Sequence, residues 1–244
     1  MKRLLLVALS CIFATIIGCA PGTPVPEEAT VVPTFHFEPP SKVPVDSGSV
    51  AFAVVNPQFP ETWKVFLTVY PFDKFSKNMA TDFEAIVSAR GFRMRGPFRT
   101  FDELTFPDKS QSDLILTPKI EIDLVGTGQT VSSTDLFGTL SYQWKGAVNL
   151  GGRITLNLNE SLSNERMWTK SIELPAKAFP YTSKKQSQPV IWGSIPDPEL
   201  SNLIASALQD YYMLTMDKVW VYLDPQEMAL VKQQAQTLKE KKRY

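Results

Sequence analysis

Residues 114–125 read LILTPKIEIDLV. The run begins apolar and then alternates, with Ile120, Ile122 and Leu124 on one side and Lys119, Glu121 and Asp123 on the other. Successive side chains of a strand point to opposite faces. The pattern therefore predicts a strand with one face in a core and one in water, as in an antiparallel sheet.

Downstream, Gly126–Asp135 (GTGQTVSSTD) is polar and reads as a turn or loop. Tyr142, Trp144, Val148 and Leu150 alternate again, and Ile154, Leu156 and Leu158 continue the pattern beyond Gly151-Gly152. The glycine pair is expected to be the turn of a hairpin. Trp168–Leu174 supplies a further strand.

Two helices are predicted to finish the chain. Asp197-Pro198 sets an N-cap acceptor before a proline at the first helical position, where a missing N–H costs nothing. Leu200, Leu203, Ile204, Ala207, Leu208, Tyr211 and Leu214 then form an apolar stripe. Asp224-Pro225 repeats the cap, and Glu227 three residues on is expected to complete a capping box. In that last helix Met228, Val231, Ala235 and Leu238 step by three and four, and the Lys-rich end suits the helix dipole.

Upstream, Val50–Val55 (VAFAVV) is a short unbroken apolar run, expected for a strand buried on both faces. Trp63–Tyr70 reads as a second extended stretch. Phe75, Met79, Phe83, Ile86 and Val87 recur at helical spacing, and Gly91 stands where a helix C′ residue belongs, so a helix is predicted from about Asp73 to Arg90. A short strand at Phe92–Arg95 and a loop through Asp102 and Pro107 lead back to Leu114. The class is α/β (α+β): a mixed, largely antiparallel sheet packed against one long helix and two C-terminal helices.

The chain opens differently. Lys2 and Arg3 precede an uncharged apolar run, Leu4 to Ile17, that fits an export signal and falls short of the roughly 20 residues a membrane-spanning helix needs. The run closes on Ile16-Ile17-Gly18-Cys19, which resembles the lipobox of bacterial lipoproteins. That resemblance implies cleavage before Cys19, diacylglycerol on its thiol and acylation (palmitate-type) of the new amino group. Several acyl chains at ~0.8 kcal/mol per buried CH₂ make such anchoring stable. Ala20 stands where an aspartate would signal inner-membrane retention, and for a Gram-negative cell the lipoprotein resemblance then implies the outer membrane. Residues 1–18 are thus read as a signal peptide and 19–47 as the lipidated cysteine with a proline-rich tether. Within the tether Val31–Phe37 is a candidate edge strand; residues 48–244 are read as a single domain.

Composition narrows the function classes. Cys11 leaves with the signal and Cys19 carries lipid, so the mature domain holds no disulfide or thiol nucleophile. Losing Lys2 and Arg3 takes two from 25 basic residues against 25 acidic ones, leaving about −2, which gives no electrostatic reason to expect nucleic-acid binding.

The element order and several local strings resemble the Helicobacter neuraminyllactose-binding haemagglutinin (HpaA) family of surface lipoproteins. The strings are Ala207-Leu208-Gln209 leading through Met216 to ALVKQQAQTLKEKKRY, Phe35-His36-Phe37, the helix ending in Arg90-Gly91-Phe92, and the strand Lys119–Leu124. The resemblance implies an α/β envelope domain on a lipid anchor with an adhesin-type role toward sialylated host glycans. The family's Lys/Arg-rich segment corresponds here to Thr127–Asp135, which contains neither residue. The alternative reading is a periplasm-facing structural or assembly lipoprotein that recruits an envelope protein through its late helices or a sheet edge.

Motifs for chemistry are weak. His36, the single histidine, has no partners at metal-ligand spacing and is expected to pack or hydrogen-bond. Asp108–Asp113 lacks the ligand ladder of a calcium loop and reads as solvated. Glu121 and Asp123 share a strand face with Lys119, the mark of a charged solvent surface. Gly126-Thr127-Gly128 and Gly151-Gly152 lack the remainder of a nucleotide motif. Trp144 and Trp168 are candidates for a sugar platform, with core as the preferred reading. No catalytic, cofactor or metal residues are assigned, a non-enzymatic role is expected, and Cys19 is the one site residue.

Overall fold

The computed structural model describes residues 33–44, 49–183 and 198–242. They lie in one compact unit spanning Val32–Tyr244. Five strands, β1 (Ala51–Val55), β2 (Arg93–Phe98), β3 (Leu114–Thr134), β4 (Leu140–Glu160) and β5 (Arg166–Ser183), form one sheet in the order β2-β1-β3-β4-β5. Four helices accompany them: α1 (Phe72–Ala89), α2 (Phe106–Ser110), α3 (Pro198–Tyr222) and α4 (Pro225–Lys242).

The apolar run 50–55 becomes the sheet's parallel element. β1 pairs parallel with both β2 and β3, and every residue of it is buried. Parallel neighbours need a crossover, which α1 provides between β1 and β2. Phe52 and Val54 join the main core with the helices, whereas Ala53 and Val55 face a smaller cluster with Leu104, Ile115, Phe98 and Phe101. The remaining ladders are antiparallel and much longer, as the alternation at 119–124 predicts.

Helix α1 buries the predicted stripe of Phe75, Met79, Phe83, Ile86 and Val87. It ends at Gly91, whose φ of +79° only glycine adopts without strain. The Gly91 amide donates to Ser88 O at 2.9 Å and the Phe92 amide to Val87 O at 3.3 Å, the bond pattern of a Schellman stop. Helices α3 and α4 match the predicted pair. Leu200, Ile204, Ala207, Leu208 and Tyr211 of α3, and Met228, Val231 and Ala235 of α4, all enter the main core. Of the predicted stripes, Leu203 stays 37% exposed, Leu214 packs against the core only partly buried, and Leu238 is half-buried outside it. Asp197 lies outside the described residues.

Four sequence expectations are corrected. Gly151-Gly152 is no turn: β4 runs straight through it. At this point β5 carries an irregularity, Leu150 pairing with Lys177 and Gly152 with Leu174. Gly152 has φ +141°, and a Cβ there would stand 2.1 Å from Glu121 O, so the glycine marks a close strand approach within the bulged region. Gly126–Asp135 is not a loop. β3 continues to Thr134, and the chain reverses only at 135–139. Trp63–Tyr70 is not extended; two 3₁₀ turns, Glu61–Trp63 and Phe66–Thr68, place Trp63 and Phe66 against Phe72 with ring centroids 5.1–5.3 Å apart. Burial at i and i+3 suits a helical turn, not a strand. Residues 33–39 form no edge strand but an irregular segment pinned by its phenylalanines. The loop through Asp102 and Pro107 holds a 3₁₀ turn and α2.

Candidate functional site

The segment 33–43 crosses α1 and α3 as a strap. Phe35 and Phe37 are buried, the former between Phe75 and Tyr212 at centroid distances of 5.8 and 5.7 Å. Phe35 has φ +43°, a strained value for a bulky residue that its packing must hold in place. Polar clasps run along the strap. Phe35 N donates to Gln209 Oε1 at 3.0 Å, Asn78 Nδ2 to Thr34 O at 3.1 Å and Val43 N to Ala89 O at 3.0 Å.

The central clasp is Asp82, a buried carboxylate on α1. Its Oδ2 accepts from Phe37 N at 2.6 Å and from the Tyr212 hydroxyl of α3. Burial, and then that bond to Asp82, push the Tyr212 hydroxyl well above its ordinary pKa, so it stays a donor. His36 projects outward, 70% exposed, with Nδ1 3.6 Å from Asp82 Oδ1. It sits exposed at the rim of the clasp, neither packed nor hydrogen-bonded among the described residues, in contrast to what the sequence suggested.

A second buried carboxylate closes the far end of β4. Glu160 accepts from Leu162 N at 2.9 Å and Ser163 N at 2.6 Å, and lies 3.3 Å from Lys239 Nζ of α4. Lys239 also reaches Ser161 Oγ at 2.9 Å and Ser112 O at 3.3 Å. Burial alone would raise the Glu160 pKa; the two backbone amides and Lys239 outweigh it and hold the carboxyl below its usual range.

The residues weighed for chemistry are not gathered into a reaction centre. Asp108 caps α2 in a reciprocal box with Thr105, while Asp113 accepts from Ala51 N at 2.8 Å and pairs with Lys232 at 3.0 Å. Trp144 is buried, its indole lying over the facing pair Gly128 and Gly146, where Cβ atoms would collide with it. Trp168 donates from Nε1 to Glu227 Oε1 at 2.7 Å and stacks edge-on to Tyr222. Neither indole forms an open platform. Glu227 directs its carboxylate to Trp168 and Lys170, while Asp224 caps α4 through Gln226 N and Glu227 N. No group of three or more His, Cys, Asp or Glu side chains that could hold a metal occurs among the described residues.

Glu121 and Asp123 do line a concavity. With Arg153, Glu173, Pro60 and Trp63 they border an open cleft of about 580 Å³. Arg153 is taken by Glu121 at 3.1 Å, so Asp123 and Glu173 leave the cleft negative. That charge suits a cationic group and repels a carboxylate such as that of sialic acid. Thr127–Asp135, where the resemblance places a basic motif, forms the outer end of β3 to Thr134 and the first residue of the turn, and likewise offers no cation.

At 135–139 the β3–β4 ribbon turns over. Asp135 Oδ1 accepts from Phe137 N at 2.9 Å and Thr139 N at 2.8 Å, Gly138 N donates to Asp135 O, and Asp135 N donates to Thr139 O. These bonds, Thr139 first, hold the Asp135 carboxyl below its ordinary pKa. Cys19 lies outside the described residues, and no helix among those described is long and apolar enough to cross a membrane.

No protein-family model matches the chain, and no curated protein matches it. Among solved structures it is similar to a neuraminyllactose-binding haemagglutinin homologue from Helicobacter pylori, with a TM-score of 0.55 at 14% identity over 82% of this chain and 98% of that one. A minor lipoprotein from Acinetobacter baumannii scores 0.31 at 8% identity over 70% and 91%. A lipoprotein from Neisseria meningitidis scores 0.27 at 13% identity over 66% and 96%. At such identities the first likeness speaks for fold alone: this chain has the α/β architecture of the Helicobacter homologue across nearly that protein's whole length.

Proposed function

We propose that the chain is a lipid-anchored protein of the bacterial envelope, attached to the outer membrane through Cys19, and that it acts without catalysis as an HpaA-like surface adhesin or ligand-binding protein. The observation that carries this is the order of its first nineteen residues: Lys2-Arg3, the uncharged run to Ile17, then Gly18-Cys19. The shared fold with the Helicobacter homologue supports the same reading.

The negative cleft and the uncharged outer end of β3 give a sialic-acid carboxylate no cation, so recognition through that group is not part of the proposal. Protease treatment of intact cells tests the outward orientation; digestion only after lysis would move the protein to the periplasmic side. Replacing Cys19→Ser tests the anchor. The expected result is loss of metabolic fatty-acid labelling and transfer of the protein to the aqueous phase of a detergent partition. Continued labelling of the variant would refute the assignment of Cys19.

A further inference from the structure

The apex of the β3–β4 ribbon is apolar and bare. Leu136 is 100% exposed and Phe137 93% exposed. Scattered exposed apolar residues are ordinary, but two adjacent large ones at the end of a projecting ribbon are not. They are not isolated either. Leu140 (52%) and Tyr142 (39%) lie next along the same face of β4, which then enters the core at Trp144. An apolar stripe thus runs from the core to the tip.

The polar groups around that tip fit a nonpolar surrounding. The backbone amides of residues 135, 137, 138 and 139 all donate within the turn, and the Asp135 carboxylate is folded back onto two of them. Bonds made within the turn lower the cost of bringing its backbone to lipid, while the Leu136 amide and the carbonyls of 136–138, which the turn leaves unbonded, belong at the wet headgroup level. Asp135 and Lys145 are the only charged side chains from Gly126 to Gly146. Beside the tip stands Tyr142, of the kind that settles at a membrane interface.

We infer that the Leu136-Phe137 apex inserts into the bilayer that holds the protein's own lipid anchor, giving the domain a second point of attachment. This rests on the lipoprotein reading above. The choice of that membrane over a distant one follows from size. Two side chains bury less apolar surface than a single fatty acyl chain, which alone binds a bilayer only marginally and reversibly. Tethering by Cys19 makes the second contact intramolecular, where so small an apolar patch suffices.

The test uses the mature lipidated protein in phosphatidylcholine vesicles, with an environment-sensitive dye on Phe137→Cys and, separately, on Leu136→Cys. Acylated Cys19 is the only other cysteine of the mature sequence, so labelling is specific. The expected result is a blue shift and loss of most emission to quencher lipids at both positions. A dye on Glu173→Cys should stay aqueous, and the tip dye should be unquenched in an unlipidated form of the protein that begins at Ala20. Vesicles that carry the protein to the top of a flotation gradient while the tip dye stays aqueous would overturn this inference and leave the anchor standing. Protein that neither floats nor shows acyl mass at Cys19 overturns both. Self-quenching that grows with protein density, without lipid quenching, means that the tip meets a second copy, and this too rejects insertion.

Discussion

The two ends of the β3–β4 ribbon are built from the same ladder and could hardly differ more in surroundings. At one end Leu114 pairs with Glu160, and both are fully buried beneath α4 and its Lys239. At the other Thr134 pairs with Leu140 and the chain turns through two bare apolar residues. Pairing is continuous between them. Cover is what changes. The inner end spends its polar groups on fixing helices to the sheet; the outer end spends them on its own turn.

Breaking the inner end should have the largest effect. Glu160→Ala leaves the Leu162 and Ser163 amides and Lys239 short of their acceptor and should lower stability by about 3 kcal/mol, read by chemical denaturation. The pH dependence has a definite sign. Because the folded carboxyl lies below the ordinary glutamate value of 4.5, its contribution is complete above that value and is lost as pH falls through the lowered one. Glu160→Gln should flatten the acid limb of the stability profile.

Midway along the ribbon, Gly152→Ala should cost about 2 kcal/mol, because its Cβ meets Glu121 O and its φ disfavours any side chain. A thermal melt checks this, and a neutral outcome would mean that the strands can separate there. Away from the ribbon, Asp82→Ala should cost up to about 2 kcal/mol and, more diagnostically, speed hydrogen exchange at Phe37 and proteolysis within 33–43. The outer end sets the floor of the comparison. Leu136→Ser with Phe137→Ser should move the unfolding free energy by less than about 0.5 kcal/mol, since neither side chain is covered in the free domain.

Much of the fold was legible because each pattern had a single physical reading. VAFAVV could only be a doubly buried strand or a short helix, and its length chose the strand. The α1 stripe and Gly91 defined that helix to within a residue. The misreading of Gly151-Gly152 came from weighing turn chemistry above phase. In a two-residue hairpin Leu150 would share a face with Arg153, not with Ile154. The apolar positions 148, 150, 154, 156 and 158 keep one parity throughout, which only an uninterrupted strand allows. Gly126–Thr134 hid its strand because its outer face meets no core, so no hydrophobic pattern was required there.

The buried carboxylates were missed for a related reason. Asp82 lies within the stripe Phe75, Met79, Phe83 and Ile86, and Glu160 continues Ile154, Leu156 and Leu158 in phase. A charge at a core position signals a paired group, but sequence alone does not show that the partners are Tyr212, 130 residues away, and Lys239. The tip gave even less warning, since Leu136 and Phe137 directly follow what read as a polar turn.

The strap over α1 alters how far the domain ranges. Were all of residues 20–47 slack, a molecule fixed at Cys19 could wander roughly 100 Å from its attachment point. With Phe35 wedged between Phe75 and Tyr212, only the fourteen or so residues before Pro33 can separate the strap from the proposed anchor, a contour limit of roughly 50 Å. On the proposed anchoring at Cys19, loosening Asp82 would lengthen the radius open to the domain without changing its binding surfaces, so the carboxylate that steadies the fold would also set that reach.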